Sequence, residues 1–151
     1  MADDWITPTG ASGTGWSSAA NSKDDNNSTY AYEYNVTLAS YGNWLTFTVG
    51  SMLCDKIRFD ALYNTDILEI IIEVYYEAGW HQIYIGSYTN HAWVEKSIPA
   101  GQKTVTQARV KFYNSTGFPG LAKMYEFDFN QVASAVVIPK MVHHYKQAGG
   151  L

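Results

Sequence analysis

The sequence predicts an all-β fold in which antiparallel strands form a sandwich or a barrel. Several short segments alternate apolar and polar residues, as half-buried strands do. Turn-forming residues separate these segments at short intervals, for example at Gly42-Asn43, Ala78-Gly79 and Pro119-Gly120. Helical periodicity is almost absent from the chain. Together these three observations favour a fold built from strands and turns.

The alternation assigns one face of each predicted strand to the core. The predicted inward residues, in chain order, are Leu45, Phe47, Val49, Ile57, Phe59, Ala61, Leu68, Ile70, Ile72, Val74, Tyr76, Val110, Phe112, Tyr125, Phe127 and Phe129. The residues between them are mostly polar or uncharged, so each strand is expected to turn its other face outward.

Two segments lie outside this pattern. Residues 1–30 are rich in Gly, Ser, Thr, Asn and Asp and are expected to wrap around the outside of the sandwich. Residues 131–151 follow the last predicted strand and contain a short apolar patch at residues 136–138. We therefore predict a sandwich domain at residues 1–130 and a C-terminal tail at residues 131–151.

Length, charge and cysteine content exclude several classes of protein. The chain has 151 residues, a formal net charge of −4 and one cysteine, Cys54. A domain of this length can bury a core, and its fold cannot depend on an internal disulfide. The negative charge leaves no basic face for a nucleic-acid backbone, so no nucleic-acid partner is expected. Neither a signal peptide nor a membrane-spanning run of ~18 apolar residues is recognisable, which predicts a soluble protein without membrane insertion.

The chain carries no pattern typical of a catalytic site. Its histidines do not form a His-x-x-x-His pair or a Cys/His cluster, and a glycine-rich phosphate loop is absent. Glu69 and Glu73 lie on an outward strand face, where a solvated surface is a better interpretation than an acid–base pair. We therefore predict a protein that is not an enzyme.

Five segments, in the same order along the chain, resemble the discoidin-like (galactose-binding-like) domains. They are "WSSAANSKDDNNSTYAYEY", "NWLTFTVGSMLCDKIRFDA", "IEVYYEAGWHQIYIG", "QARVKFYNS" and "AKMYEFDF". The resemblance covers roughly residues 16–129. It implies an antiparallel jelly-roll β-sandwich of about eight strands, a fold that serves lectins, adhesion modules and structural virion proteins alike.

An oxygen-rich loop at residues 23–29, "KDDNNST", has the composition of a site for a hard cation. The resemblance implies that Asp25, together with Glu126 of the closing strand, holds a structural calcium ion. The alternative is an ordinary turn in which Asx side chains bond to the backbone. No other cofactor is expected.

Aromatic residues in or beside turns predict a second kind of site. Exposed rings stack on sugars, and neighbouring polar groups orient sugar hydroxyls. The candidate ligand-binding residues are Trp80, His81, Tyr88, His91 and Trp93. The alternative is that these rings pack across the hairpins and cover the edge of the sandwich.

The outward faces are rich in tyrosine and poor in charge, as protein–protein interfaces are. The motifs "DKIRF", "YYEAGWH" and "YEFDFN", on a short chain with an appended tail, also resemble small proteins of tailed phages. The first functional hypothesis is therefore a structural virion protein, in head decoration or a tail, that forms homo-oligomers or contacts capsid or tail proteins. Its candidate assembly residues are Val136, Val137, Ile138 and Tyr145. For the short apolar strand among them, the alternative is that it folds back on its own domain. The alternative hypothesis is a lectin-like, carbohydrate-binding module.

Overall fold

The computed structural model of the chain describes residues 3–36, 39–116 and 118–133. The candidate assembly residues Val136, Val137, Ile138 and Tyr145 lie outside the described residues. Eleven strands form in the described part of the chain. They are β1 (Trp5–Ile6), β2 (Gly10–Ser12), β3 (Trp16–Ser17), β4 (Ala31–Val36), β5 (Ser40–Tyr41), β6 (Leu45–Ala61), β7 (Ile67–Tyr76), β8 (Gly79–Gly86), β9 (Val94–Ser97), β10 (Lys103–Asn114) and β11 (Gly120–Gln131). A short 3₁₀ helix spans Ala19–Lys23.

The strands are antiparallel and follow the order β3-β4-β11-β6-β10-β7-β8. Strand β6 connects the two layers of the sandwich, because its first half pairs with β10 and its second half with β11. Its alternation of buried and exposed residues breaks at Gly50 and Ser51, where both residues are exposed. We call the β2, β6, β10, β7 and β8 side the front layer, and the β3, β4, β11, β6 and β9 side the back layer.

The core lies between these layers and is strongly aromatic. Phe47 of the front layer stacks on Phe127 of the back layer, with ring centroids 4.3 Å apart. Each buried ring of this kind contributes roughly 1.5–3 kcal/mol through the hydrophobic effect. The all-β sandwich predicted from the alternation is therefore confirmed. The structure has eleven strands rather than about eight, because four very short strands, β1, β2, β3 and β5, add to seven longer ones.

Two of the predicted inward residues are only half-buried, whereas the others are buried. The prediction for Tyr125 is wrong because the pairing register shifts between Met124 and Glu126, which displaces the alternation by one residue. The prediction for Leu68 is wrong as well, because a register shift lets Ile67 occupy the core in its place.

The N-terminal segment wraps the sandwich as predicted. Strand β1 pairs with β11, β2 pairs with β6, and β3 pairs with β4, so the segment crosses from the back layer to the front layer and returns. Among the described residues, none of the helices is long and apolar enough to span a membrane.

Candidate functional site

His81 and Tyr88, two of the five predicted ligand-binding residues, support the β7–β8 hairpin and the core. The ring of His81 stacks on Tyr76 with centroids 3.9 Å apart, and its Nε2 lies 3.1 Å from the Tyr76 carbonyl oxygen. Tyr88 is only 7% exposed, and its hydroxyl donates to the carbonyl oxygen of Leu62 at 2.6 Å. Burial raises the pKa of the Tyr88 hydroxyl far above its usual range. These contacts hold the β7–β8 hairpin and the core in place.

Trp80 belongs to a stack on the front layer that we call the Arg109 stack. The Arg109 guanidinium carbon lies 4.1 Å from the ring centroid of Trp44 and 4.1 Å from that of Trp80. Arg109 also donates from Nε and Nη2 to one oxygen of Glu73, at 2.8 and 2.6 Å. Two indole rings and one carboxylate therefore hold the arginine, which restricts its orientation.

Trp93 belongs to a second arrangement of the same kind, the Arg58 stack, on the back layer. The Arg58 guanidinium carbon lies 4.5 Å from the ring centroid of Trp5 and 3.9 Å from that of Trp93. Arg58 donates from Nε and Nη2 to Asp128 Oδ2, at 2.9 and 2.8 Å. The two predicted tryptophans thus lie in different sites.

The two stacks lie on opposite outer faces of the sandwich. Arg109 stands between the buried residues Ala108 and Val110 of β10, so its side chain leaves the core on the front side. Arg58 alternates in the same way with buried neighbours on β6, where that strand belongs to the back layer. Neither stack could be predicted from the sequence, because each one combines residues from separate strands.

An open cleft of about 660 Å³ adjoins the Arg109 stack. The residues that line it are Ser12, Gly13, Thr14, Asn43, Trp44, Thr46 and Arg109. The cleft thus combines an indole surface, a fixed guanidinium, hydroxyl groups and a side-chain amide. This is the mixture that binds a sugar, since the ring lies on the aromatic surface and its hydroxyls bond to the polar groups.

Partly buried hydrogen bonds fix one wall of this cleft. The side-chain nitrogen of Asn43 donates to Glu33 Oε2 at 2.6 Å, and Trp16 Nε1 donates to the Asn43 carbonyl oxygen at 3.0 Å. Burial raises the pKa of the Glu33 carboxyl, although its bonds to Asn43 oppose the shift. Gly13 approaches the other wall so closely that an added Cβ would lie 2.3 Å from the Trp44 carbonyl oxygen.

A group of carboxylates lies on the back layer beneath the wrapping segment. Asp25, Glu126 and Asp128 each place one carboxylate oxygen within 4.8 Å of the others. The two residues predicted for calcium, Asp25 and Glu126, are therefore brought together, and Asp128 joins them. Asp128 lies two residues after Glu126, on the same face of β11, and this spacing was a signal that the sequence-based reasoning missed.

Two oxygens of this group are buried without a hydrogen-bond partner, Glu126 Oε1 and Asp128 Oδ1. Burial, and then the neighbouring Asp24, raises the pKa of Glu126 to about 8. A buried carboxylate oxygen without a partner is costly, whereas a bound cation would satisfy it. The donor set consists of oxygen atoms alone, which fits calcium better than a transition metal.

The loop that carries Asp25 is an Asx-type turn. The backbone N–H of Asn26 donates to Asp24 Oδ1 at 3.1 Å, and that of Ser28 donates to Asn26 Oδ1 at 2.9 Å. Asp25 has a φ of 57°, in the left-handed region. The turn that was the alternative to a metal loop is therefore present, and it also points a carboxylate at the buried group.

A row of aromatic rings crosses the outer side of the back layer. Tyr34, Tyr32, Tyr30 and Tyr125 contact one another in sequence, edge to face, with centroids 4.9 to 5.9 Å apart. His91, the remaining predicted ligand-binding residue, ends the row by stacking on Tyr125 at 3.8 Å. These outward rings pack on one another, so their abundance does not by itself require a protein partner.

Comparisons of sequence identify no relative of this chain. No protein-family profile matches it, and no curated protein matches it in sequence.

Comparisons of structure identify carbohydrate-binding modules. The module of family 32 from AlyQ, solved with 4,5-unsaturated mannuronic acid, has a TM-score of 0.64 and 18% identity, and the match covers 83% of this chain and 97% of that chain. The family 32 module of NanJ from C. perfringens, solved with galactose, has a TM-score of 0.69 and 14% identity, covering 86% and 100%. A chitosan-binding module from a chitosanase/glucanase of Paenibacillus sp. IK-5 has a TM-score of 0.61 and 14% identity, covering 82% and 95%.

These comparisons overturn the first functional hypothesis. The prediction of a structural virion protein is wrong, because the three structures compared above are carbohydrate-binding modules, two of them solved with glycan ligands, and they favour the lectin-like alternative. At identities of 14 to 18%, the likeness establishes architecture alone. The predicted jelly roll is confirmed: this chain has the galactose-binding-like β-sandwich fold of these modules.

Proposed function

We propose that this chain is a non-catalytic carbohydrate-binding module and that the cleft beside the Arg109 stack receives the glycan. The observation that carries the proposal is the convergence of Trp44, Arg109 and Thr46 in one open cleft of about 660 Å³. The glycan ligands of the structures that share the fold support it. So does the presence of one such module in a chitosanase/glucanase, where it accompanies a separate enzyme activity.

The chemistry of the cleft explains how a sugar would be held. The exposed part of the Trp44 ring offers a flat apolar surface to the C–H groups of a pyranose. Arg109 is already fixed by Glu73 and by two indole rings, so little side-chain entropy is lost when it donates to a sugar hydroxyl. The hydroxyls of Ser12 and Thr46 add donors and acceptors on the cleft floor.

A glycan array followed by calorimetry on the strongest ligand tests this proposal. Trp44→Ala should weaken binding at least about tenfold, since a stacked ring is a principal contact. Trp93→Ala is the matched control, because it removes a tryptophan from the equivalent Arg58 stack on the opposite face. Retained affinity in Trp44→Ala, or equal loss in both variants, would contradict the assignment. Thermal melting of each variant verifies that its fold is intact.

We also propose that calcium binds to Asp25, Glu126 and Asp128 as a structural ion. The support is the pair of buried, unpartnered oxygens in an all-carboxylate group. When bound, the ion would neutralise the buried negative charge and attach the wrapping segment to β11. Its role is stability rather than contact with the glycan, and calcium removal is the corresponding test.

A further inference from the structure

One cation beside the cleft has an unusual environment. Lys111 follows Arg109 by two positions on β10, so both side chains leave the same outer face of the front layer. Its Nζ lies 4.5 Å from the ring centroid of Trp44 and 5.0 Å from that of Tyr41. The ammonium group is therefore held over aromatic faces next to the cleft's principal stacking residue.

The two carboxylates of the adjacent strand are already engaged. Glu73 accepts both hydrogen bonds of the Arg109 guanidinium, and Glu69 accepts a hydrogen bond from the Tyr41 hydroxyl. Directly across from Lys111 on β7 lies the apolar Ile71. Within the part of the chain that the structure describes, Lys111 forms no ion pair. The Lys111 ammonium group contacts aromatic rings rather than a carboxylate, so its positive charge is available to an anion.

We propose that the cleft selects glycans that carry a carboxylate, as uronic acids do, with Lys111 as the residue that recognises the acid. This inference rests on the proposed function of the cleft and specifies its ligand class. The sugar ring stacks on Trp44, and the carboxylate accepts charge-assisted hydrogen bonds from the Lys111 ammonium. Arg109 orients the sugar by donating hydrogen bonds but adds no net charge to the cleft, because Glu73 neutralises its guanidinium.

The overall charge of the chain does not conflict with this selectivity. The formal net charge is −4, but charges farther away than a Debye length of about 8 Å are screened at physiological salt. The cation that touches the ligand therefore decides which glycan binds.

The chain also supplies a matched control. Lys96, on β9, lies over the Tyr84 ring at 3.7 Å and likewise lacks an ion pair among the described residues. Tyr84 does not line the cleft, whereas Trp44, which Lys111 contacts from the cleft margin, does. If removing any lysine held by an aromatic ring weakens binding, both Lys111→Met and Lys96→Met will lose affinity. If Lys111 recognises the acid, only Lys111→Met will lose affinity for the acidic glycan.

The test measures affinities by calorimetry for oligomers of galacturonate, mannuronate and glucuronate, each beside its carboxyl-reduced counterpart. Wild type should bind at least one acid more tightly than the reduced sugar. Lys111→Met should weaken binding of that acid about three- to fivefold, as expected for an accessible ion pair, with the reduced sugar unaffected. Lys111→Arg should retain the preference, and Lys96→Met should bind as wild type does.

The outcomes separate this inference from the proposed function. Tight binding of neutral sugars without preference for any acid overturns the inference while the cleft remains a glycan site. Equal losses for acid and reduced sugar in Lys111→Met would show that Lys111 only supports Trp44, which also overturns it. If wild type binds neither these oligomers nor any glycan on an array, both proposals fail.

Discussion

Arg109 and Glu73 face each other across β10 and β7, and the guanidinium donates two hydrogen bonds, of 2.8 and 2.6 Å, to a single carboxylate oxygen. This ion pair holds the arginine in contact with two indole rings, those of Trp44 and Trp80, at the margin of the cleft. Arg109 should therefore affect both the stability of the fold and the binding of a glycan, because the groups that would contact a sugar also bind one another.

Arg109→Lys should destabilise the fold by about 1–2 kcal/mol and weaken glycan binding. Lysine keeps the positive charge, but it lacks the planar group that stacks on the indole rings and that donates two hydrogen bonds to Glu73. Urea unfolding and calorimetry measure the two effects. Arg58→Lys, in the equivalent stack on the other face, should cost similar stability and leave glycan affinity unchanged. Loss of affinity in both variants would mean that binding depends on overall stability.

Gly13→Ala should destabilise the protein by roughly 1–3 kcal/mol, because the added methyl group would meet the backbone carbonyl of Trp44 at 2.3 Å. The comparison is Gly50→Ala, where nothing lies within 4 Å of the new atom. That variant should be neutral or slightly more stable, since alanine restricts the unfolded chain. Denaturant midpoints measure the stability of both variants. Equal midpoints for Gly13→Ala and Gly50→Ala would contradict the close approach of Gly13 to the Trp44 carbonyl.

Removal of calcium should lower the melting temperature. An ion present at 100 times its Kd stabilises a folded protein by roughly 3 kcal/mol. Melting in calcium chloride and in EGTA measures this difference, and Glu126→Gln should abolish it. Glu95→Gln, a half-exposed carboxylate outside the buried group, should leave it intact. Identical melting of wild type in both buffers would contradict the calcium site.

Cys54 should resist thiol reagents in the native state, because it is fully buried and burial raises the pKa of its thiol from 9.0 to about 11.

The same pKa shift should make stability depend on pH. Between pH 9.0 and about 11 the unfolded chain releases the Cys54 proton and the folded chain retains it. The free energy of unfolding therefore falls as pH rises, by up to about 1.4 kcal/mol per pH unit. Cys54→Ala should show a shallower decline over that window. Rapid labelling of native Cys54 at neutral pH would contradict the burial of the thiol. An equally steep decline in stability for wild type and Cys54→Ala would contradict the pKa shift.

The residues that surround the sites were only partly predictable from the sequence. Asp25 and Glu126 could be paired through the family resemblance, and the structure brings them together. Trp80 was recognised as a candidate, but its partners Trp44 and Arg109 were not, because they looked like ordinary outward positions on other predicted strands. The register between β6, β10 and β8 brings these residues into contact, and no short sequence motif encodes it.

The sequence by itself determined most of the side chains that enter the core, because alternation with a period of two assigns each residue of a strand to one face. Leu68 and Tyr125 are the exceptions, since register shifts in the sheet displace the alternation there. It also determined where strands end, through turn residues with restricted backbone preferences. Tertiary structure alone decided that Trp44 and Trp80 both contact Arg109 beside one cleft while Trp93 joins a separate stack on the opposite face. The physical reason is that contacts across strands depend on register and on the bend of β6, and these arise from the packing of the whole sandwich.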